Sequence, residues 1–476
     1  MKMSYNSEKK PETVLPTAAS RLGTEPVGKL MLQFSIPAIT GMLVNALYIV
    51  VDRIFVGRGV GEIALGGLSL VMPLMTLTMA FGMLFGIGAA YMISMRLGQQ
   101  RKNDAENALN HGFLLLVISG VILTVVEFAF FNPIFSMLGA QEGSLSLDYA
   151  KRYYRITLAG ELFFIVGFGL SHCARAQGFP IISMIGNVIG AVINTILDPI
   201  FIFYLKLNVE GAALATIISQ FLAVVWMIYF SRSNKAVIRL KLSSFKLSLN
   251  IIKSITLFGS SPSLLQFAIV FVQLLANYSM GWYGISALAV ENGGDIAQSG
   301  MNIVGTISML ILMPVFGINQ GVQPLLGFNY GAKQFKRVKN AFMLAIFAAT
   351  GICISGFIVV QTIPDLIVMQ FDPNCSREFL LWTPWALRIV LIFLPLNGFQ
   401  IVATNMFVVT GRPKTSILLG LTRQVIALIP CMIIFGKLWG LNGVIAAFPA
   451  ADCIAFVLTS FMIYFELKKM SAMREE

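Results

Sequence analysis

Carboxyl, amide and hydroxyl side chains interrupt the apolar runs of this chain, where a charged group is costly. Asp52 ends one such run, and Asn194 and Asp198 occur four residues apart in another. On a helix that spacing places both side chains on one face. Thr216 adds a hydroxyl group in a later run. An acid at the centre of a membrane span costs roughly 2.5–3.5 kcal/mol on insertion scales, so these residues indicate either function or pairing between helices.

Both acids also have a structural interpretation. An ion pair with Arg53 or a position at the lipid interface would account for Asp52, and a helix end shared with Pro199 would account for Asp198. In a functional site, burial and an acidic neighbour would favour the protonated form of a carboxyl group. Protonation near neutral pH is what a proton-coupled carrier needs.

Other polar residues are weaker candidates for substrate contact or gating. Glu291 and Asp295 flank an Asn-Gly-Gly turn and form the most notable acidic pair of the second half, with Arg388 and Arg423 as candidate counter-ions. A position near lipid headgroups would explain Glu127 equally well. The candidates for substrate contact or gating are Tyr48, Glu161, Gln177, Glu291, Asp295 and Arg388.

The elements that must position these residues are transmembrane helices. The chain has 476 residues, 57% of them hydrophobic and only 12% charged, whereas an average soluble domain carries roughly 25% charged residues. Apolar runs recur from Leu30 to Phe465, and each run of about 20 residues can cross a hydrocarbon core of roughly 30 Å as a helix. We therefore predict an all-α integral membrane fold of twelve transmembrane helices.

The basic residues predict the orientation of these helices. The formal net charge is +12, and the lysines and arginines cluster in alternate connections between spans. The positive-inside rule places those connections and both termini in the cytoplasm, as in a multi-pass protein of the bacterial inner membrane. A basic groove interleaved with aromatic residues is absent, so we expect membrane lipid and no nucleic acid as a partner.

The chain also contains an internal repeat. The segment Gly178–Pro180 recurs as Gly411–Pro413, and Phe85–Ile87 recurs at nearly the same offset as Phe316–Ile318. Both copies begin on the same side, which predicts a parallel repeat of two six-helix lobes with a substrate cavity between them. The predicted parts are a flexible cytoplasmic tail (1–29), an N-lobe (30–230), a basic cytoplasmic linker (231–253), a C-lobe (254–466) and a second tail (467–476).

Comparison of the two copies assigns the candidate chemistry to one lobe. At the offset that relates Phe85 to Phe316, Asp198 corresponds to Ile429, so its carboxyl group is not repeated. Pro37, within the first span, is a candidate hinge because a proline removes a helix hydrogen bond. Glycines within the spans are also candidate hinges, but close packing of helices through small residues would explain them equally well.

Several classes of protein are not supported by the sequence. The five cysteines are far apart and the two histidines are isolated, which favours neither disulfides nor a metal site. No phosphate-binding loop of an ATPase is present. No paired nucleophile and base or cofactor fingerprint indicates an enzyme. We therefore expect no cofactor, and an ion gradient as the source of energy.

Three motifs resemble those of the multidrug and toxic compound extrusion (MATE) family, particularly its MepA-like branch. They are residues 174–180 (ARAQGFP), residues 208–213 (NVEGAA) and residues 321–332 (GVQPLLGFNYGA). The resemblance extends over about residues 25 to 465. It implies a two-lobed antiporter, expected to be a monomer, that exports lipophilic and often cationic small molecules in exchange for protons or sodium.

The resemblance also implies roles for single residues. Asp52, Asn194, Asp198 and Thr216 match the family's cation site, which makes them candidates for binding a proton or Na⁺. The tyrosine that helix four usually contributes is not clearly matched, although Tyr154 and Glu161 are nearby. The alternative function is a flippase for lipid-linked sugars or phospholipids, which a cavity rich in inward-facing arginines would favour.

Overall fold

The computed structural model describes residues 17–137, 144–241, 247–288, 293–371 and 376–472. The helices of the first half are α1 (Thr17–Thr24), α2 (Val27–Gly59), α3 (Glu62–Gly82), α4 (Gly88–Gly98), α5 (Lys102–Ala129), α6 (Phe131–Met137), α7 (Leu145–Ala176), α8 (Pro180–Pro199) and α9 (Asn208–Arg232). Those of the second half are α10 (Leu249–Leu288), α11 (Gly293–Gly331), α12 (Phe335–Thr362), α13 (Pro364–Phe371), α14 (Arg377–Val390), α15 (Leu394–Val409), α16 (Pro413–Leu421) and α17 (Leu428–Ala472). Short π-helical stretches are Met83–Ile87, Ile200–Tyr204 and Thr422–Ala427.

The described helices provide twelve spans. Nine separate segments between residues 27 and 362 are long and apolar enough to cross a membrane. Helices α14 and α15, bent by 43° relative to each other, make one further span. The segment Pro413–Met470 has 58 residues, and Gly440 breaks it with a φ of 61° and a ψ of −136°, so it provides two. The prediction of a twelve-helix all-α membrane fold is confirmed.

The backbone turns show the two halves to be copies of one arrangement. Helices α8 and α16 begin at Pro180 and Pro413, the offset that also relates Gly178 to Gly411. Three pairs of residues at matching offsets have positive φ: Gln100 (58°) and Lys333 (59°), Gly178 (99°) and Gly411 (77°), and Asn208 (53°) and Gly440 (61°). Because positive φ is uncommon outside glycine, recurrence in three turns is strong evidence for a repeat. The parallel repeat of two lobes is thereby confirmed.

The lobes approach each other through glycines in the half of the molecule that ends at Lys102 and Lys333, an end that we call the basic end. A Cβ atom added to Gly98 would lie 2.0 Å from the carbonyl oxygen of Phe328. One added to Gly259 would lie 1.7 Å from the carbonyl oxygen of Leu84. Only glycine permits backbones to pack this closely, as in other helix contacts within membranes.

The amino-terminal segment differs from the predicted tail. Residues 17–24 form α1, and Leu22 is fully buried against the C-lobe. Arg337 donates hydrogen bonds to the carbonyl oxygens of Leu22 (3.1 Å) and Glu25 (2.6 Å), and Asn329 donates to that of Leu22 (3.0 Å). The prediction of a flexible tail is therefore wrong for this part, because an apolar residue and two backbone acceptors attach it to the C-lobe.

The first part of the predicted linker is folded onto the N-lobe. The backbone N–H of Ile238 donates to Oε1 of Gln177 (3.2 Å), and that of Lys241 donates to Oδ1 of Asn110 (3.0 Å). Helix α10 begins at Leu249, within the range predicted as linker. The connection between the lobes is thus shorter than the sequence suggests.

Candidate functional site

The four residues proposed for cation binding meet inside the N-lobe. Asp52 belongs to α2, Asn194 and Asp198 to α8, and Thr216 to α9. Nδ2 of Asn194 donates to Oδ1 of Asp198 (3.3 Å) and to Oγ1 of Thr216 (3.4 Å). The carboxyl groups of Asp52 and Asp198 lie close enough to influence each other electrostatically. All four residues are at most 8% exposed.

The oxygen atoms of this group are short of hydrogen-bond donors. Oδ1 of Asp52, Oδ2 of Asp198 and Oδ1 of Asn194 are buried without a protein partner. Arg53, the neighbouring cation, directs its guanidinium group to the sulfur of Met72 (3.2 Å). Two ionised carboxylates only accept hydrogen bonds, so their contact is favourable only when a cation is shared between them. An all-oxygen donor set suits a proton or a hard metal ion such as sodium.

Two tyrosines complete the site. Tyr153 of α7 is buried and lies close to Thr216 and to both carboxyl groups. Tyr48 lies one helical turn before Asp52 and also faces both acids. Tyr153 was not predicted from the sequence, because its neighbour Tyr154 has the same side chain and only the rotation of α7 decides which of them faces the site.

Glu161 belongs to a second polar cluster of the N-lobe. The hydroxyl group of Tyr154 lies 2.5 Å from Oε2 of Glu127 and 2.9 Å from Oε1 of Glu161. Thr78 of α3 donates to Oε1 of Glu161 (2.9 Å). The cluster is buried, so neither glutamate occupies the headgroup position that the sequence left open.

The remaining candidates lie apart from the Asp52 site or outside the described residues. Gln177 is bonded to the linker as described above, and Arg388 is exposed on α14. Pro37 is buried within α2. Glu291 lies outside the described residues, and of Asp295 only the backbone, in α11, is described.

The C-lobe contains an acid that was not predicted from the sequence. Asp452 of α17 is buried and accepts a hydrogen bond from Nε of Arg423 (2.5 Å) and one from Nδ2 of Asn397 (3.4 Å). Arg423 therefore pairs with Asp452 rather than serving as a counter-ion to Glu291. A guanidinium group therefore accompanies this carboxylate, whereas neither Asp52 nor Asp198 forms an ion pair with a described residue.

Comparison with known proteins agrees with this architecture. The sequence profile of the MatE family matches residues 37–200 and 262–433. Multidrug export protein MepA of Staphylococcus haemolyticus is 29% identical over 447 residues, which are 92% of this chain and 93% of the relative. MepA of Staphylococcus aureus is 28% identical over 442 residues, 92% of this chain and 94% of the relative.

Solved structures share the fold. One is an outward-facing conformation of a multidrug resistance MATE family transporter, with a TM-score of 0.86, 24% identity and coverage of 97% of this chain and 100% of that one. Another is a MOP superfamily transporter from Pyrococcus furiosus, with a TM-score of 0.88, 24% identity and the same coverage. Since the family profile matches well over half of the residues and the fold agrees along nearly the whole chain, the chain belongs to the MatE family, the membrane transporters whose motifs its sequence resembles.

Proposed function

We propose that this protein exports lipophilic, often cationic compounds in exchange for protons or sodium ions. The observation that carries the proposal is the buried group of Asp52, Asn194, Asp198 and Thr216, which lacks a protein cation in a transporter fold. The proposed substrate class is supported by relatives that are multidrug export proteins and align with 92% of this chain.

Binding of the coupling ion provides the switch. Without a bound cation, Asp52 and Asp198 repel each other in a dry environment, and a cation that neutralises them allows α2 and α8 to pack closely. Helix α2 contains Pro37 some ten residues before Tyr48, and there the helix can bend without breaking a backbone hydrogen bond. Displacement of α2 toward α8 would then change the surface that the N-lobe presents to the substrate.

The proposed cycle is alternating access, and the contact between the two lobes supports it. In the described state the lobes meet at the basic end through Gly98 and deeper along the helices through Gly259. Uptake of the coupling ion from the opposite side releases the substrate, and loss of that ion to the cytoplasm prepares the site for the next one. A membrane potential of 100 mV contributes about 2.3 kcal/mol per charge moved, equivalent to roughly a 50-fold gradient.

The proximity of the Asp52 and Asp198 carboxyl groups favours the proton over sodium as the coupling ion. A single proton on one carboxyl group makes it a hydrogen-bond donor to the other. Sodium would need several oxygen ligands around one point, and Asn194 and Thr216 would have to supply the rest. A lipid cargo would be favoured by arginines that face the cavity. Neither candidate arginine favours it, since Arg388 is exposed and Arg423 is paired with Asp452.

The test is ethidium movement in proteoliposomes that carry an imposed proton gradient or an imposed sodium gradient. We expect gradient-driven export that is reduced at least tenfold in Asp198→Asn and Asp52→Asn. The matched control is Asp365→Asn, which changes an exposed acid on α13 and should leave export unchanged. Unaltered export in both site variants would overturn the coupling mechanism, and absence of movement with several lipophilic cations would overturn the substrate class.

A further inference from the structure

The second polar cluster of the N-lobe consists of Thr78, Glu127, Tyr154 and Glu161. It joins α3, α5 and α7, and each of its members is at most 6% exposed. Phe131 and Phe135 of α6 pack against the ring of Tyr154 and cover the cluster. The cluster is therefore apolar on the side that α6 covers.

The cluster is short of positive charge. Oε1 of Glu127 and Oε2 of Glu161 are buried without a protein partner. Arg155 of α7 directs its guanidinium group over the ring of Phe131 (5.2 Å), and neither Glu127 nor Glu161 forms an ion pair with a described residue. Two unpaired carboxylates in apolar surroundings are too costly to persist, so at least one cation must be bound.

The geometry identifies that cation as a proton. The carboxyl groups of Glu127 and Glu161 meet at one atom, the hydroxyl oxygen of Tyr154, and ionised carboxylates have no hydrogen to donate. The Tyr154 hydroxyl group approaches both of them (2.5 and 2.9 Å) but carries one hydrogen. At least one carboxyl group must supply the missing hydrogen. In the described residues no three potential metal-binding side chains lie together.

We propose that Glu127 and Glu161 form a second proton-binding site that exchanges its proton during the transport cycle. Helix α7 connects it to the first site, because Tyr153 faces Asp52 and Asp198 while the adjacent Tyr154 holds the two glutamates. A rotation of α7 that follows protonation at one site changes the hydrogen bonds at the other. Exchange of this proton during transport rests on the proposed function. The presence of a proton bound between Glu127 and Glu161 does not.

The bound proton can be tested without transport. Infrared difference spectra of the purified full-length protein, titrated across pH in H₂O and D₂O, report the carbonyl stretch of protonated carboxyl groups. We expect a band that is lost in Glu161→Gln or Glu127→Gln and retained in Glu210→Gln. The control changes a partly exposed acid that pairs with Arg152.

Identical spectra for the wild type and both cluster variants would overturn the site. Loss of the band on adding sodium at constant pH would show a metal site instead.

Exchange of the proton during transport requires a second measurement. The number of protons taken up per ethidium molecule exported, measured with a pH-sensitive dye trapped in the vesicles, should be lower in Glu161→Gln than in the wild type or Glu210→Gln. Tyr154→Phe preserves the ring and should shift the pH dependence of export, which guards against a result caused by misfolding. An unchanged ratio and pH profile in every cluster variant would reduce the cluster to a structural role. Absence of ethidium export in the wild type would overturn the proposed function while the infrared result still stood.

Discussion

At the scale of single residues, two adjacent tyrosines of α7 serve two different acidic groups. Successive residues of a helix point about 100° apart, so Tyr153 contacts the Asp52 site while Tyr154 contacts Glu127. Both hydroxyl groups are buried, and each contacts groups that can exchange a proton. This division assigns Tyr153 to the Asp52 site and Tyr154 to the second site.

Tyr153→Phe should slow ethidium export about 3- to 10-fold, because it removes one hydrogen bond worth about 1 kcal/mol while preserving the ring. The initial rate of export from proteoliposomes checks this expectation. Tyr229→Phe is the matched control, since Tyr229 is 70% exposed on α9. If Tyr153→Phe leaves the rate of export unchanged, or slows it no more than Tyr229→Phe does, the hydroxyl group of Tyr153 does not assist the site.

The ion pair of Arg423 and Asp452 should behave as a structural pair. Asp452→Asn leaves a partly buried guanidinium group without its carboxylate and should destabilise the protein by about 2–3 kcal/mol, somewhat less than for a fully buried pair. The double variant Arg423→Met with Asp452→Leu should recover part of that loss. Thermal unfolding in detergent measures both, with Glu210→Gln as a partly exposed pair expected to change stability by less than about 1 kcal/mol. A double variant less stable than Asp452→Asn would contradict this interpretation.

The candidate cation site was largely predictable from the sequence, but its full composition was not. Polar residues in apolar runs and their absence from the second copy identified Asp198 and Asp52. Tyr153 could not be distinguished from Tyr154, because the rotation of a helix that is apolar on several faces depends on its partners. Asp452 also interrupts an apolar run, but its pairing with Arg423, 29 residues away in sequence, depends on the fold and could not be predicted.

At the scale of elements, glycines set how closely the lobes approach at the basic end. Gly259 of α10 lies against the backbone at Leu84, and Gly98 of α4 lies against that of Phe328. Each contact joins an N-lobe element to a C-lobe element. A side chain at either position would separate the helices, so these glycines favour the conformation in which this end is closed.

Gly259→Val should shift the resting protein toward a conformation with the basic end open and should reduce export at least tenfold. The physical reason is the distance of 1.7 Å between an added Cβ atom and the carbonyl oxygen of Leu84. Spin-label distances across the basic end measure the shift. Gly305→Val is the control, since no atom lies within 4 Å of an added Cβ atom there. Unchanged distances in Gly259→Val would contradict a role in closing this end.

At the scale of the whole molecule, the number of spans and their repeat were predictable, whereas several breaks within helices were not. Hydropathy identifies an apolar run but does not show that α14 and α15 meet at 43°. The short helix α1 escaped prediction because its stability depends on burial of Leu22 by the C-lobe. Such features depend on contacts between parts of the chain that are distant in sequence.

Linking the lobes at the basic end should stop transport. A Cβ atom at Gly327 would lie 3.0 Å from Cβ of Ser94, slightly below the usual separation of about 3.5–4.5 Å in a disulfide. We expect Ser94→Cys with Gly327→Cys to form a disulfide under oxidation, to lose ethidium export, and to regain it after reduction. Each single variant controls for the native cysteines. Full export by the oxidised, cross-linked protein would exclude movement of the lobes at this end.

The recurring left-handed turns have a consequence for the origin of the chain. Asn208 and Gly440 have nearly the same φ although their side chains differ, and Gln100 and Lys333 do likewise. Positive φ has thus persisted where residue identity has not. This is the trace expected if the two lobes arose by duplication and fusion of one half-length unit. On that origin, the Asp52 and Asp198 carboxyl groups mark a difference that the two copies acquired as they diverged.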